Sequence, residues 1–205
     1  CRATEGLEWM GSIIVALATT GLRISELASL RRTDFDAAAM MLSLTDERGG
    51  GRRQRLGIER RTKGRRSRHV PVHPELCTVI QGLPVYSDGR LFHGPNGGKV
   101  KPDTIRNVLR RDVIAALKVQ FPTPVGEIGF EHGHVHSFRH FFVSEAFRHG
   151  ASEGEIMGWT GHRESKMVAH YRHLRPRDSQ RTLTQIPFVR FSAAGVPHAG
   201  DAVSV

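Results

Sequence analysis

Cysteine and long apolar runs are both scarce in this chain of 205 residues. The two cysteines, Cys1 and Cys77, are too few for a disulfide framework, so we expect a reducing, cytoplasmic environment. The longest strongly apolar run covers residues 13–18, far short of the roughly 20 residues that cross a bilayer. Its upstream flank holds Glu5 and Glu8 instead of the basic residues of a signal peptide. These features argue against a secreted or membrane protein.

Acidic residues are also in the minority. Twenty Asp and Glu face thirty Lys and Arg, so the formal net charge is +10. Nearly all of the excess falls in residues 48–68, which hold ten Lys or Arg and a single acid, Glu59. A solvated basic loop is one explanation of such a run. The other is a surface that binds a polyanion, either nucleic acid or an acidic membrane.

A hairpin pattern within the basic run favours nucleic acid. Two short segments of β-compatible residues, 56–58 and 69–72, flank the polar turn 62–65. Together with a predicted strand at 40–44, they form an antiparallel sheet of about three strands. The tip of a basic hairpin can lie along phosphates or enter a groove, so we expect contacts to DNA from Arg65, Arg66 and Arg68.

Helical periods dominate the rest of the chain. Apolar residues recur three and four positions apart at 7–17, and shorter helices are predicted at 24–30 and 74–83. Asp103 is predicted to cap a long helix whose apolar stripe runs over 105–117. Its opposite face carries Arg106, Arg110 and Arg111. Of these, we expect Arg106 and Arg110 to contact DNA.

Four more helices are predicted towards the end of the chain. The first has a stripe of Phe138, Phe141, Phe142 and Ala146 and ends at Gly150, and the second begins with a capping box of Ser152 and Glu155. The third is capped by Ser165 and carries Tyr171, and the last covers 178–185. Residues 186–205 are small and without period, and we expect a flexible tail. The predicted fold class is therefore α+β: a mostly helical domain over 1–185 with a small three-stranded antiparallel sheet.

Polar residues in these helices form an ordered set. Residues 20–27 read TGLRISEL, residues 136–140 read HSFRH, a Gly161-His162 pair follows, and Tyr171 comes nine residues later. This set resembles the signature of the tyrosine recombinase (phage integrase) family over roughly residues 5–185. The resemblance implies that family's catalytic fold and the breaking and rejoining of DNA strands, as in integrases of mobile elements.

The resemblance also implies how the phosphate is held and attacked. Arg23 and Arg139 clamp the scissile phosphate, which suits the permanent charge and planar donor fork of arginine. His162 is a further donor. Tyr171 is the nucleophile, forming a 3′-phosphotyrosyl intermediate, and His136 is the candidate base for its proton.

Two further residues complete the implied site. Lys63 on the hairpin protonates the departing 5′ oxygen, with Arg65 and Arg66 as close alternatives. Glu26 matches the family's acidic position, and we expect it to orient Arg23 or the hairpin. No cofactor or metal is implied. The implied partner is double-stranded DNA with a specific recombination site, bound by a tetramer at the nucleoid. We also expect this sequence to lack the family's N-terminal core-binding domain.

Two other functions remain open at this stage. The histidines between residues 132 and 149 suggest a metal-dependent phosphodiesterase, although no HExxH or CxxC spacing is present and no acid lies between Glu131 and Glu145. A non-catalytic DNA-binding remnant of an integrase is the second alternative.

Overall fold

The computed structural model describes residues 6–47, 67–162 and 166–171. They belong to a compact unit that spans Cys1–Arg175, and a second unit, Pro176–Val205, lies outside the described ranges. Several predicted features also lie outside them: the strand at 56–58, the turn at 62–65 with Lys63, Arg65 and Arg66, the Ser165 cap, the helix at 178–185 and the tail at 186–205.

Helices hold many more of the described residues than strands do, and three short strands form an antiparallel sheet. The helices are α1 (Glu8–Thr20), α2 (Ile24–Ala28), α3 (Pro74–Gly82), α4 (Pro102–Val108, continued by a π-helical stretch Leu109–Ile114 and by Ala115–Leu117), α5 (Val135–Arg148), α6 (Glu153–Thr160) and α7 (Lys166–Ala169). The strands are β1 (Phe35–Asp36), β2 (Met41–Leu44) and β3 (Arg68–Pro71), in the order β1-β2-β3. The predicted fold class is confirmed. None of the helices in the described ranges combines the length and apolar character needed to cross a membrane.

The sheet includes a strand that the sequence did not predict. β1 pairs with β2 through Phe35 and Leu42, and β2 pairs with β3 through Leu42 and Val70. The carboxylate of Asp36 accepts hydrogen bonds from the backbone N–H groups of Ala38 and Ala39, at 3.0 and 2.9 Å. This side-chain-to-backbone turn reverses the chain and allows β1 to pair with β2.

Helix caps agree with the sequence at α6 but not at α4. At α6, Ser152 Oγ accepts from the Glu155 N–H and a Glu155 carboxylate oxygen accepts from the Ser152 N–H, which confirms the capping box. The cap assigned to Asp103 is wrong. Helix α4 begins at Pro102, because proline fits the first helical position, and Asp103 lies within the first turn and pairs with Arg106.

Two helix predictions near the end of the described chain need correction. The buried side chains of α5 are Arg139, Val143 and Phe147, whereas Phe141 from the predicted apolar stripe is 53% exposed. Helix α7 ends at Ala169, so Tyr171 lies in the turn that follows the helix. The backbone N–H of Tyr171 still donates to Val168 O at 2.9 Å.

Two apolar clusters hold these elements. The larger is built on α1, where Met10, Ile13 and Leu17 are fully buried, as its helical period predicts. The smaller joins α5, α6 and α7 through Val143, Phe147, Ile156 and Val168. Trp159 packs against both clusters, so the C-terminal end of α6 is fixed relative to α1.

Gly21, which ends α1, gives a testable prediction for this packing. Its φ is +61°, and a Cβ at this position would lie 2.5 Å from Cδ1 of Phe142. Gly21→Ala should therefore lower the free energy of unfolding by about 2 kcal/mol or more, through the left-handed backbone and overpacking. Gly158→Ala in α6 is the control, because nothing lies within 4 Å of its Cβ position. In urea unfolding, the free energy of unfolding of Gly158→Ala should equal that of the parent or exceed it by about 0.5–1 kcal/mol. Equal free energies of unfolding for Gly21→Ala and Gly158→Ala would contradict the packing described.

Candidate active site

Arg23 and Glu26 form the first part of the site, at the start of α2. Arg23 is the N-cap residue and Glu26 is the third residue of the helix. The Glu26 carboxylate accepts the Arg23 backbone N–H at 2.9 Å and an Arg23 guanidinium N–H at 3.1 Å. One side chain thus caps the helix and orients the arginine, which stays 24% exposed.

Arg68 completes a three-residue network around the same carboxylate. Its two terminal nitrogens donate to the two Glu26 oxygens at 3.1 and 2.7 Å, and its Nε donates to the carbonyl of Trp159 at 2.9 Å. The two side chains are only 10% and 3% exposed. The expectation that Arg68 contacts DNA is therefore not supported, since its donors are used inside the protein. Strand alternation explains this, because Arg68 shares the inward face of β3 with buried Val70.

Glu26 is ionised at neutral pH. Burial acts to raise the pKa of this carboxyl, but the hydrogen bonds and positive charges of Arg68 and Arg23 outweigh it and hold the pKa below its usual value. The carboxylate therefore offsets the charge of two arginines in a site with little access to solvent.

Arg139, on α5, connects three of the sequence motifs. Its guanidinium donates to the carbonyl of Gly21 at 2.7 Å and to that of Thr160 at 2.6 Å. It is 3% exposed, and within the part of the chain that the structure describes its Nε has no hydrogen-bond partner. Burial and then the charge of Arg23 lower the pKa of Arg139 to about 10, so it is still a cation at neutral pH.

His162 follows α6 and adds an imidazole to this cationic group. Its Nδ1 lies 3.0 Å from Thr160 Oγ1, and that hydroxyl donates to Ile156 O. Because the hydroxyl proton is thus used, we assign the Nδ1–H tautomer, with the lone pair on Nε2. Burial, then the charges of Arg139 and Arg23, lower the pKa of His162 to about 4, so the imidazole is neutral at neutral pH.

A row of rings leads from the cations to Tyr171. The ring centroids of His134 and His136 are 6.5 Å apart, those of His136 and His140 are 4.9 Å apart, and those of His140 and Tyr171 are 6.0 Å apart. His140 Nδ1 is hydrogen-bonded to the Tyr171 hydroxyl. Burial and neighbouring positive charges lower the pKa values of His136 and His140, and burial raises the pKa of Tyr171.

The residue that contacts Tyr171 differs from the one that the sequence analysis named. His136 was named as the base for Tyr171, but the structure places His140 at the phenol. His136 instead packs its ring edge-to-face against that of His140, and its pKa is lowered by burial first, then by the charges of His140 and Arg139. The HSFRH segment includes His140, but a contact across 31 residues has no periodic signal that could have assigned it this role.

The other tyrosine, Tyr86, is packed within a loop. The Tyr86 ring contacts the His93 ring, with centroids 4.1 Å apart and a tilt of 41° between the planes, and His93 Nε2 lies 2.8 Å from Asp88 Oδ1. A Cβ on Gly97 would lie 2.5 Å from the Tyr86 ring. These contacts pack Tyr86 against its own loop.

The histidine row does not form a set of metal ligands. Among residues 6–47, 67–162 and 166–171, no three His, Cys, Asp or Glu side chains are grouped as the ligands of a metal ion would be. The predicted DNA contacts on α4 stay predictions: Arg106 pairs with Asp103, and Arg110 is exposed. Lys63, Arg65 and Arg66 lie outside the described residues.

The buried network around Glu26 leads to a stability prediction. Glu26→Gln should lower the free energy of unfolding at pH 7 by about 3 kcal/mol, because Arg68 and Arg23 lose their counter-charge. Asp103→Asn is the matched control, since it disrupts an exposed acid–arginine pair and should cost less than about 1 kcal/mol. Glu26 stabilises the fold above its unfolded pKa, about 4.5, and this is lost as pH falls through the lower folded value. Urea unfolding at pH 7 and pH 3 should therefore show the Gln deficit shrinking in acid; a constant deficit would contradict the charge argument.

His162 should make stability depend on pH in a higher range. With the pKa of the folded state at about 4 and the usual value at 6.5, the unfolded chain binds a proton between these values that the folded chain does not. The free energy of unfolding should therefore fall as pH drops from about 6.5 to about 4. His162→Gln should flatten this slope in urea unfolding series, and an unchanged slope would show that His162 does not titrate as described.

Comparison with known proteins places this geometry in a family. The model of the phage integrase family matches residues 8–177. Tyrosine recombinase XerC of Rickettsia canadensis is 27% identical over 163 residues, which is 78% of this chain and 45% of that protein. The integrase of Escherichia phage 186 is 26% identical over 181 residues, covering 88% of this chain and 42% of that protein. The chain thus spans less than half the length of these two relatives.

Solved structures show the same fold. The Tn1549 transposon integrase in complex with a circular intermediate DNA aligns with a TM-score of 0.63 at 19% identity, over 89% of this chain and 60% of that chain. The catalytic domain of bacteriophage HP1 integrase aligns with a TM-score of 0.55 at 22% identity, over 92% of this chain and 88% of that chain. Since the family model covers well over half of the sequence, this chain belongs to the phage integrase family.

Proposed function

We propose that residues 1–185 are the catalytic domain of a site-specific DNA recombinase, in which Tyr171 attacks a phosphodiester held by Arg23, Arg139 and His162. The observation that carries this proposal is the pair of bonds from Arg139 to Gly21 O and Thr160 O. These bonds bring the segments of Arg23 and His162 to the helix that carries His140. His140 is in turn bonded to Tyr171.

The charge of the site suits a phosphate in transition. Phosphodiester transfer places extra negative charge on the non-bridging oxygens, and arginine donors fixed in advance stabilise that charge without reorganisation. Arg23 and Arg139 are both cations, and the nearby carboxylate of Glu26 is already bonded to Arg23 and Arg68. The phosphate would therefore enter a cationic pocket whose internal acid is neutralised.

His162 gains its donor function from the phosphate itself. In the free protein its Nε2 has a lone pair, because Nδ1–H is bonded to Thr160. A phosphate beside the ring would counter the field of Arg139 and Arg23, raise the pKa of His162 and allow a protonated Nε2 to donate. This makes proton uptake by His162 part of substrate binding.

Tyr171 supplies the covalent step. A base takes the proton of the phenol, and the phenolic oxygen forms a bond to phosphorus as the bond from phosphorus to the 5′ oxygen breaks. The 5′ oxygen takes a proton from an acid, a role that the resemblance gives to Lys63. The product is a 3′-phosphotyrosine and a free 5′-hydroxyl. Because the new ester keeps the energy of the phosphodiester, religation to another strand needs no cofactor.

The proposed partner is double-stranded DNA. The net charge of +10 favours a polyanion, and a related solved structure is XerH recombinase bound to difH substrate. A tetramer acting on two sites, at the nucleoid of the cytoplasm, is the arrangement that family analogy implies.

A covalent-trapping experiment tests this function. The whole chain is incubated, with EDTA, with a library of nicked duplex oligonucleotides of randomised sequence, and adducts that survive SDS are mapped by mass spectrometry. We expect an adduct on Tyr171 that Tyr171→Phe reduces by at least about a thousandfold, while DNA retention in gel shifts changes little. Tyr86→Phe, which alters the other tyrosine, should retain the adduct.

Each other outcome contradicts the proposal in a distinct way. DNA binding without any adduct would indicate the non-catalytic remnant. Strand cleavage that EDTA abolishes would indicate a metal-dependent phosphodiesterase. An adduct that persists in Tyr171→Phe would assign the nucleophile to another residue.

A further inference from the structure

The hydrogen bond between His140 and Tyr171 joins two side chains that are 31 residues apart. We propose, resting on the proposed function, that His140 is the catalytic base that takes the proton of the Tyr171 hydroxyl. This assigns the proton transfer to a different residue from the one that the motif comparison favours, His136.

Packing on α5 aims the phenol at His140. The ring of Tyr171 lies nearly parallel to that of fully buried Phe147, with an interplanar angle of 14° and centroids 6.5 Å apart. Phe147 and His140 are seven residues apart, which is two turns along the same face of a helix, or about 10.5 Å. The Tyr171 ring, 6.5 Å from one and 6.0 Å from the other, bridges them, so its hydroxyl end meets the imidazole.

The backbone holds the ring in this place. The N–H of Tyr171 donates to Val168 O at 2.9 Å, and Val168 is fully buried against α5 and α6. The nucleophile is therefore anchored at its backbone, at its ring face and at its hydroxyl.

The charges around His140 keep its imidazole free to accept a proton. Burial, then the charges of His134, Arg139 and His170, lower its pKa, so it is neutral at neutral pH. We assign its Nδ1 as the acceptor in the bond to the phenol, with the imidazole proton on Nε2. The titratable and charged groups that face it are His134, His136, Arg139, His170 and Tyr171.

The proton of Tyr171 is accounted for in both directions of the reaction. In cleavage, the O–H bond of Tyr171 breaks, the proton moves to His140 Nδ1, and the freed electron pair forms the bond to phosphorus while the bond to the 5′ oxygen breaks. The 5′ oxygen takes its proton from the acid, a role that the resemblance gives to Lys63. In religation, a 5′-hydroxyl gives its proton back to that residue and displaces the tyrosine oxygen, to which the protonated His140 returns its proton. A base in this place compensates for the raised pKa of Tyr171.

The experiment compares His140→Ala and His140→Asn in single-turnover formation of the Tyr171 adduct. Asparagine can still accept a hydrogen bond but cannot take a proton at neutral pH, so it separates proton transfer from positioning. We expect both variants to be slowed about 10²–10⁴-fold at pH 7, with a rate that rises about tenfold per pH unit as hydroxide ionises the phenol. His149→Ala, an exposed histidine beyond the end of the same helix, should match the parent.

A fluorinated tyrosine at position 171 provides the second measurement. Its phenol has a lower pKa, so it should recover much of the rate lost in His140→Ala but little of that lost in Arg139→Lys. Urea unfolding of each variant checks that the fold is kept.

Several results would overturn the assignment. If His140→Asn restores the rate, or if the loss in His140→Ala is independent of pH and unrelieved by fluorotyrosine, His140 only positions the phenol. If His140→Ala reacts within about threefold of the parent, the base is another group. Absence of an adduct in the parent protein itself overturns the proposed function as well, which distinguishes the two failures.

Discussion

The proposed site depends on holding several guanidinium groups close together before a phosphate binds. Burial is the main cause that lowers the pKa of Arg139, and the charges of Arg23 and Arg68 lower it further because the cations repel one another, whereas Glu26 acts in the opposite direction. The Glu26 carboxylate bonds to Arg23 and Arg68, while backbone carbonyls accept from Arg139. The protein thus offsets the repulsion internally, and a phosphate adds its own stabilisation to an arrangement already formed.

Helix ends supply part of this compensation. Gly21 ends α1 and Gly161 ends α6, both with left-handed backbones at φ +61° and +69°. The last carbonyls of a helix carry partial negative charge, and those of Gly21 and Thr160 point at Arg139. A Cβ on Gly161 would approach the Arg68 guanidinium to 3.1 Å, so the turn also leaves room for the neighbouring arginine. The residues that end α1 and α6 therefore also supply the carbonyl groups that bind Arg139.

The sequence was informative at α1 and at the start of α6, where a helical period and a local capping motif determine the structure. The spacing of Met10, Ile13 and Leu17 predicted α1 and its buried face, and the Ser152 and Glu155 pair predicted the start of α6. Long-range contacts carried no such signal. Arg68 was assigned to DNA because a basic run favours exposure, whereas its side chain faces inward through strand pairing with β2 and a carboxylate 42 residues away. On α5 the buried positions include an arginine, so the stripe of phenylalanines did not mark the inner face.

Helix α5 sets the distance between the proposed phosphate site and Tyr171, the proposed nucleophile, because it contributes to both. Its buried Arg139 reaches the ends of α1 and α6, its next residue His140 meets the Tyr171 hydroxyl, and Phe147 supports the Tyr171 ring. The cations otherwise depend on the larger apolar cluster, and Tyr171 packs on the smaller one. A displacement of one cluster against the other would change the approach of oxygen to phosphorus, and errors of about 1 Å in such an approach cost on the order of 10²-fold in rate. Trp159, which packs on both clusters while its carbonyl accepts from Arg68, limits that displacement at the point where the two halves of the site meet.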